Sequence, residues 1–534
     1  MLTKKLVKPV AKTLMGAIVA MASDPSMKPL AHQTPQSGEE TAVTNCRLVD
    51  VASGRILNDA TVVIRDGAIQ NIARGPAPEH LQGRALDLGG RYVLPGLIDG
   101  HCHISVSSTF SILPTIGDAV RNFRQIRGQW PASVEAGVTT VRDTGSFPLM
   151  LKGLVQDVES GKLKGPRVFH CNSILNVKGS HPDIPPHHIN PLAKPASTVM
   201  GSIGADFRSD RELVPTLEKN LPGASFIKLT VDRHSTFQGK GPIPVYTDRQ
   251  LRVIFDFAES HGLPVSCHCA TGWGLKRMLD YPVHSFEHMV SDVRLPDDVI
   301  QTLADRNISV VPTMSLGSTY VVDGIRALVG EQWLTDFVEN EIGLANAYLK
   351  NVPAHHCDPK IHAASLKRMG LYTRLARGLH SGRRLYLPDA VNYVRILSTG
   401  ADNLLRMRDA GVNIGCGMDA GMPLVYFGAL YREIGLLGRI GLTNLEALRT
   451  ATINNARILG GENILGSVEP GKLADLVVVD KNPLEDLSAL EKPVLVMKEG
   501  RVEHALLRAG NPARPYRIQA GPDMEMASQA TAAM

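Results

Sequence analysis

From about residue 41 onward, apolar and polar positions follow two textures. The segments TAVTNCRLVDV, TVVIRDGAIQNIA and ALDLGGRYVLPG are β-rich and broken by Gly and Asp-Gly turns, which predicts short strands. The same texture returns near the other end, in LADLVVVD, PVLVMKEG and RVEHALL. Strand-rich pieces at opposite ends of a chain can pair. Residues 41–95 and 463–508 are therefore expected to form one small composite β-sandwich domain. Between them, short apolar runs alternate with amphipathic helical stretches. Strands are predicted near Leu94–His103, Val138–Asp143, Arg167–Ser173, Phe226–Val231, Pro264–His268, Val283–His288, Ile308–Thr313 and Val412–Asp419. Helices are predicted between them, for example Ala119–Ala136, Asp248–Ser260 and Asp297–Arg306. Repeated strand-then-helix units predict an α/β chain, a (β/α)8 TIM barrel over residues 96–462. In such barrels chemistry sits at the C-terminal ends of the strands.

One connection is abnormal. Roughly a hundred residues separate Thr313 from Val412, far beyond the few of an ordinary loop. Helix-like segments within it are Gln332–Asn351 and Ile361–Gly378. An insertion at about 314–400 is expected over the active face, as a lid, a pocket wall or a contact between copies.

A length of 534 residues suits a large barrel with an accessory domain. A net charge of +5 is small for that length, and no dense basic run with interleaved aromatics occurs, so nucleic acid is not an expected partner. Seven cysteines at irregular spacing, with no CxxC pair, indicate neither a zinc knuckle nor a disulfide framework. Reduced thiols lean towards the cytoplasm. The N-terminus pulls the other way. Lys4, Lys5, Lys8 and Lys12 precede the apolar run LMGAIVAMA, the layout of an export signal with Ala20-Met21-Ala22 as its cleavage site. Residues 1–40 are thus an extension or a signal peptide, and a periplasmic or secreted location stays open. No stretch approaches the ~20 apolar residues of a membrane span. The tail, residues 509–534, is rich in Pro, Gly and Ala and is expected to be poorly ordered.

The segment YVLPGLIDGHCHI places His101 and His103 two residues apart on a strand, hence on one face. Both imidazoles are expected in the barrel mouth, with Cys102 facing the helical shell. Alone, the pair is weak evidence that does not distinguish two ligands from two packed histidines. The surrounding segment resembles the first-strand motif of the amidohydrolase superfamily of metal-dependent hydrolases. That resemblance implies a lysine on strand four, histidines on strands five and six, and an aspartate on strand eight. The chain has Lys228 in SFIKLTV, His268 in VSCHCATG, His288 in HSFEHM and Asp419 in IGCGMDAG.

The resemblance, which covers roughly residues 41–505, implies a centre of two divalent ions. His101, His103 and Asp419 would hold one and His268 and His288 the other. Imidazole and carboxylate donors suit Zn2+ best among common metals, with Mn2+, Co2+ and Fe2+ also compatible. A lysine on a barrel strand loses its water, which lowers its pKa. The neutral amine can then add CO2, and carboxylated Lys228 would bridge the ions together with an activated hydroxide. Asp419 would be the catalytic residue, moving a proton from the nucleophile to the leaving nitrogen. His284 is read as structural, and Glu287, adjacent to His288, as alternating to the opposite face. Arg142 and Asp143 have two readings, support for the ligands or structural ion pairing.

Candidate substrate contacts are His181, in a Gly-Ser-His loop where relatives present Gly-Gly-His, and Arg233, His234 and Tyr246 beyond strand four. The ordered runs TTVRDTG, FIKLT, HCATG, FEHM and VPT resemble the branch containing imidazolonepropionase-like and Xaa-Pro dipeptidase-like enzymes. The implied reaction is hydrolysis of a carbonyl–nitrogen bond in a small molecule: an N-acyl amino acid or dipeptide, or an amide, urea or carbamate. Two other readings are a deaminase-like or lactone-opening hydrolase on the same scaffold, and a non-catalytic barrel that has lost its metal. One-metal deaminases generally lack the strand-four lysine. Many relatives assemble, which leaves a homo-oligomer open.

Overall fold

The computed structural model describes residues 40–79, 81, 83–109, 116–182, 203–234, 242–321, 326, 329–378, 390–506 and 518–519. The N-terminal extension and nearly all of the tail lie outside the described residues. Four strands come first: β1 (Glu40–Val49), β2 (Ile56–Arg65), β3 (Ala68–Arg74) and β4 (Gly83–Pro95). The β2–β3 hairpin turns on Asp66 (φ 52°) and Gly67 (φ 80°), the paired positive φ values of a type I′ turn. β1 runs antiparallel to β2 and parallel to β4.

Nine strands follow: β5 (Leu97–Cys102), β6 (Val138–Asp143), β7 (Arg167–His170), β8 (Ile174–Val177), β9 (Gly204–Phe207), β10 (Ile227–Thr230), β11 (Val265–His268), β12 (Ser285–Glu287) and β13 (Ser309–Val311). β5, β6 and β7 pair in parallel, as do β10 to β13. Ser225 N–H donates to His170 O (2.8 Å), linking the two groups on one side. On the other side residues 412–420 run between β13 and β5. Gly415 N–H donates to Val310 O and Asp419 N–H to His101 O, each at 2.8 Å. Parallel bridges Val310–Ile414 and Cys102–Ala420 tie this segment to β13 and β5. The eighth predicted strand is thus a series of bridges. The third ends at His170, before Asn172 (φ 61°), and is followed by the parallel pair β8–β9, which the apolar pattern did not predict.

β5, β6 and β10 are buried at every position, as parallel strands covered on both faces require. Their cover comes from helices such as Asp248–Ser260, started by a Thr247–Gln250 capping box and turning Leu251, Ile254, Phe255 and Ala258 inward. The long connection forms helices Asp336–Lys350 and Pro359–Gly378. Leu349, Cys357, Ile361 and Met369 from it pack on Leu424 and Tyr426, just beyond Asp419. Gln125 Nε2 donates to His356 O (2.8 Å), pinning it to helix Ile116–Glu135 as well.

Four more strands end the described chain: β14 (Leu476–Val479), β15 (Leu495–Lys498), β16 (Arg501–Ala505) and β17 (Ile518–Gln519). β14 lies antiparallel on β4, so the two chain ends share a sheet ordered β16-β15-β14-β4-β1-β2-β3, with β17 also on β4. Where two sheets of a sandwich were expected, hydrogen bonding makes one. It curls: Ala68 bridges Leu473, bringing the β3 edge to the approach of β14. The fold encloses a separate apolar cluster that includes Val43, Val62, Leu88, Leu476 and Met497. No helix of the described residues is long and apolar enough to cross a membrane.

Candidate metal centre

β5 ends by delivering His101 and His103 to one face, and both are buried. The approach of residues 412–420 to β5 depends on missing side chains. A Cβ on Gly417 would lie 2.6 Å from His101 Cβ and 2.7 Å from its backbone nitrogen. Asp419, at the end of this segment, has φ 60° and turns its carboxylate back over the strand ends. Its Oδ1 lies 3.1 Å from His103 Nε2 and 3.4 Å from His101 Nε2. These three residues form a group whose donor atoms are close enough together to share one ion. Asp419 Oδ1 has no aligned hydrogen-bond partner, although it is buried. Burial pushes the carboxyl pKa up, but the two imidazoles more than reverse this and hold it well below the carboxylate range. Burial likewise lowers His103, and Asp419 returns it above its ordinary value.

The far ring nitrogens are committed to acceptors. His103 Nδ1 meets Gly145 O at 2.5 Å and His101 Nδ1 meets Glu287 Oε2 at 2.8 Å. His288 Nδ1 meets Thr313 Oγ1 at 2.8 Å. Each contact leaves Nε2 turned to the shared space, the second-shell orientation found around metal ligands. The rings form a chain. Centroids are 5.6 Å apart for His101–His103, 4.7 Å for His101–His288, 4.4 Å for His288–His268 and 4.4 Å for His268–His181. Burial draws His268 and His288 well below the ordinary imidazole pKa, which keeps them neutral and able to donate lone pairs.

Lys228 sits mid-strand on β10 and is buried, and its Nζ has no hydrogen-bond partner. Burial lowers its pKa to about 8, against the pull of Glu287. An orphaned amine and an orphaned carboxylate oxygen beside four imidazoles fit a cationic centre far better than a packed core.

Glu287 departs from the expectation. Strand alternation sends it away from His288, yet it points inward beneath the histidines. The cause is His288, whose φ of 74° ends the strand and swings the imidazole back over its neighbour. Glu287 Oε1 accepts from Arg142 Nη1 (2.6 Å), Ser266 Oγ (2.6 Å) and Ser285 Oγ (2.9 Å), while Oε2 holds His101. Arg142 also stacks on Phe226 at 4.3 Å. Asp143 accepts from Ile104 N–H (2.7 Å) and Gly145 N–H (3.1 Å), organising the loop whose carbonyl orients His103. Asp232 lies 3.9 Å from His268 Nε2, a neighbour that the motif reading passed over. His284 turns elsewhere, to Ile458 O at 2.9 Å.

Of the candidate substrate contacts, His181 stacks on His268 at the mouth. Arg233 and His234 are exposed just beyond β10, with the Arg233 guanidinium 3.8 Å from the Trp273 ring centre. Tyr246 is corrected. It is 1% exposed, and its hydroxyl donates to Leu175 O, so it belongs to the shell that seats β8.

Imidazoles and one aspartate gather at the C-terminal ends of parallel strands, and three of them, His101, His103 and Asp419, could hold a metal ion. The chain belongs to the amidohydrolase family, whose family model matches residues 92–502. It is accordingly a hydrolase acting on carbon–nitrogen bonds, in a family that generally uses divalent metal and has a TIM-barrel-type α/β fold. An uncharacterized protein of Mycobacterium tuberculosis is 24% identical over 77% of this chain and 85% of its own. Ochratoxinase from Aspergillus niger is 23% identical over 76% and 73%, respectively. The crystal structure of a Xaa-Pro dipeptidase with bound methionine superposes with a TM-score of 0.63 at 23% identity, covering 87% of this chain and 99% of that one.

Proposed function

We propose that this chain is a two-metal amidohydrolase on a (β/α)8 barrel, cleaving the carbonyl–nitrogen bond of a small molecule that carries a free carboxylate. The observation that carries the reading is the buried, unpartnered Lys228 amine among the imidazoles. His101, His103 and Asp419 would hold one ion, His268 and His288 a second, and carboxylated Lys228 would join them, with zinc the metal best matched to these donors. Bound ions of this kind supply Lewis acidity and make water nucleophilic at neutral pH.

The chain's own residues do the rest. Asp419, held ionised by its two imidazoles, accepts a proton at Oδ1 and returns it to the leaving nitrogen. Glu287 and Gly145 O fix the ring orientations of His101 and His103. Arg233, exposed and braced flat on Trp273, is suited to a carboxylate, and His234 stands beside it. A dipeptide or N-acyl amino acid fits that pairing better than an uncharged urea. The names of the relatives, a dipeptidase and ochratoxinase, are consistent with this class.

The test is Lys228→Ala. Turnover of a dipeptide and N-acyl amino acid panel should vanish while the circular dichroism spectrum is unchanged. Labelled bicarbonate should give a carbamate resonance in the parent protein only. Full turnover by the variant would remove Lys228 from the centre.

A further inference from the structure

Away from the metal residues, a cavity of about 710 Å3 lies between the insertion helix Asp336–Lys350, the helix Leu430–Ile440 and residues 485–491. That volume is within the range of small-molecule sites. Its floor carries Arg432, whose guanidinium lies 4.2 Å from the ring centre of Tyr348. Among the described residues, no carboxylate pairs with it. The neighbouring Arg439 is different, since Glu341 engages it through two contacts of 2.6 and 2.9 Å. A partly buried cation with no aligned carboxylate, facing an open space, forms a receptor for an anion. Burial lowers the Arg432 pKa, while Tyr348, Tyr431, Glu433 and Glu341 act the other way.

The rim has the opposite sign. Glu485 and Glu491 are exposed there, and among the described residues no side chain forms an ion pair with either. Between the charges lie Leu344, Leu436 and Leu487, an apolar wall. Tyr431 stands between floor and rim, and both Glu491 and Arg432 act on its hydroxyl. A positive floor, an apolar wall and a negative rim complement one chemical class.

We infer that this cavity is a second ligand site, which takes an apolar zwitterion of amino-acid or dipeptide size, its carboxylate on Arg432 and its ammonium at the Glu485–Glu491 rim. The inference does not rest on the metal-centre reading, because no residue is shared.

Calorimetric titration of the full-length, metal-loaded protein with L-phenylalanine tests it, using N-acetyl-L-phenylalanine and L-phenylalanine methyl ester as controls. L-Phenylalanine should bind, the acetylated compound more weakly, and the ester, which lacks the carboxylate, least. The signal should persist in Asp419→Asn and weaken at least ~10-fold in Arg432→Gln. Ala347→Trp, at an exposed position on the cavity wall, should also abolish it, and this keeps the test decisive if Arg432→Gln does not fold. No binding at millimolar ligand, binding lost in Asp419→Asn, or an ester that binds as well as the amino acid would each overturn the inference.

Discussion

Replacing Glu287 with Gln changes one atom and should disable a histidine it never exchanges protons with. The carboxylate takes four donors: Arg142 Nη1, Ser266 Oγ and Ser285 Oγ on Oε1, and His101 Nδ1 on Oε2. An amide has a single acceptor oxygen. With that oxygen kept on the Arg142 side, the NH2 group replaces Oε2 and faces His101 Nδ1 at 2.8 Å. Two donors cannot face each other, so the imidazole must move its proton to Nε2, the nitrogen turned towards Asp419. Nε2 then has no lone pair for an ion. Turning the amide over instead puts NH2 against Arg142, a buried cation left without its anion.

Either arrangement has a calculable size. Breaking a buried ion pair from one side costs about 3–5 kcal/mol, and the partial hydrogen bonding retained by Gln places this case near 3 kcal/mol. Loss of a second-shell carboxylate weakens metal binding by about 10–100-fold. Urea unfolding of metal-free protein reads the first quantity, and competition against a chromophoric chelator reads the second. Both effects should appear together in Glu287→Gln, and Glu287→Asp should recover part of the second. A Glu287→Gln protein of parental stability and parental metal affinity would refute the tautomer argument.

Other perturbations probe other parts. Arg233→Ala should raise KM for carboxylate-bearing substrates by about 10-fold and leave kcat within about 2-fold, as expected when uniform binding is lost; steady-state kinetics on acid and amide forms of one substrate would check it. Gly417→Ala drives a methyl group into His101 backbone and Cβ at 2.6–2.7 Å, so it should cost about 1–3 kcal/mol and lower metal stoichiometry, read by thermal unfolding and elemental analysis. His356 is drawn down to about 3 by burial, with His355 and Arg432 adding to the effect. The folded protein therefore keeps it neutral while the unfolded chain protonates it below its ordinary 6.5, so stability present above that pH is lost as pH falls towards 3. His356→Gln should remove about 2 kcal/mol of the difference between about pH 7.5 and pH 5, measured by urea unfolding.

Much of the centre was legible because strand periodicity and chemistry agree there. His101 and His103 alternate past Cys102, and Lys228 sits in an apolar strand. Where the backbone leaves regular geometry, the reading fails for a physical reason. His288 has φ 74°, so strict alternation put Glu287 on the wrong face. Asn172 at φ 61° cuts the third strand short and starts β8, an element with no separate apolar signal. Tyr246 was assigned to a loop near the site. Its burial depends on Leu175 and Phe207, which approach only in three dimensions. The Arg432 cavity has no local signature, because its walls come from three distant segments.

The union of β4 with β14 sets a timetable for the molecule. Pro95 lies opposite Leu476, with β5 to β13 threaded between them in the chain. As a ribosome releases the chain, β1 to β4 emerge first and wait with one flank of β4 unpaired and the apolar side of Val62 and Leu88 uncovered. That flank is an open template for any passing strand until the last segments arrive. Closure of this sheet is a late, long-range event, so growing chains stay open to mispairing for most of their synthesis.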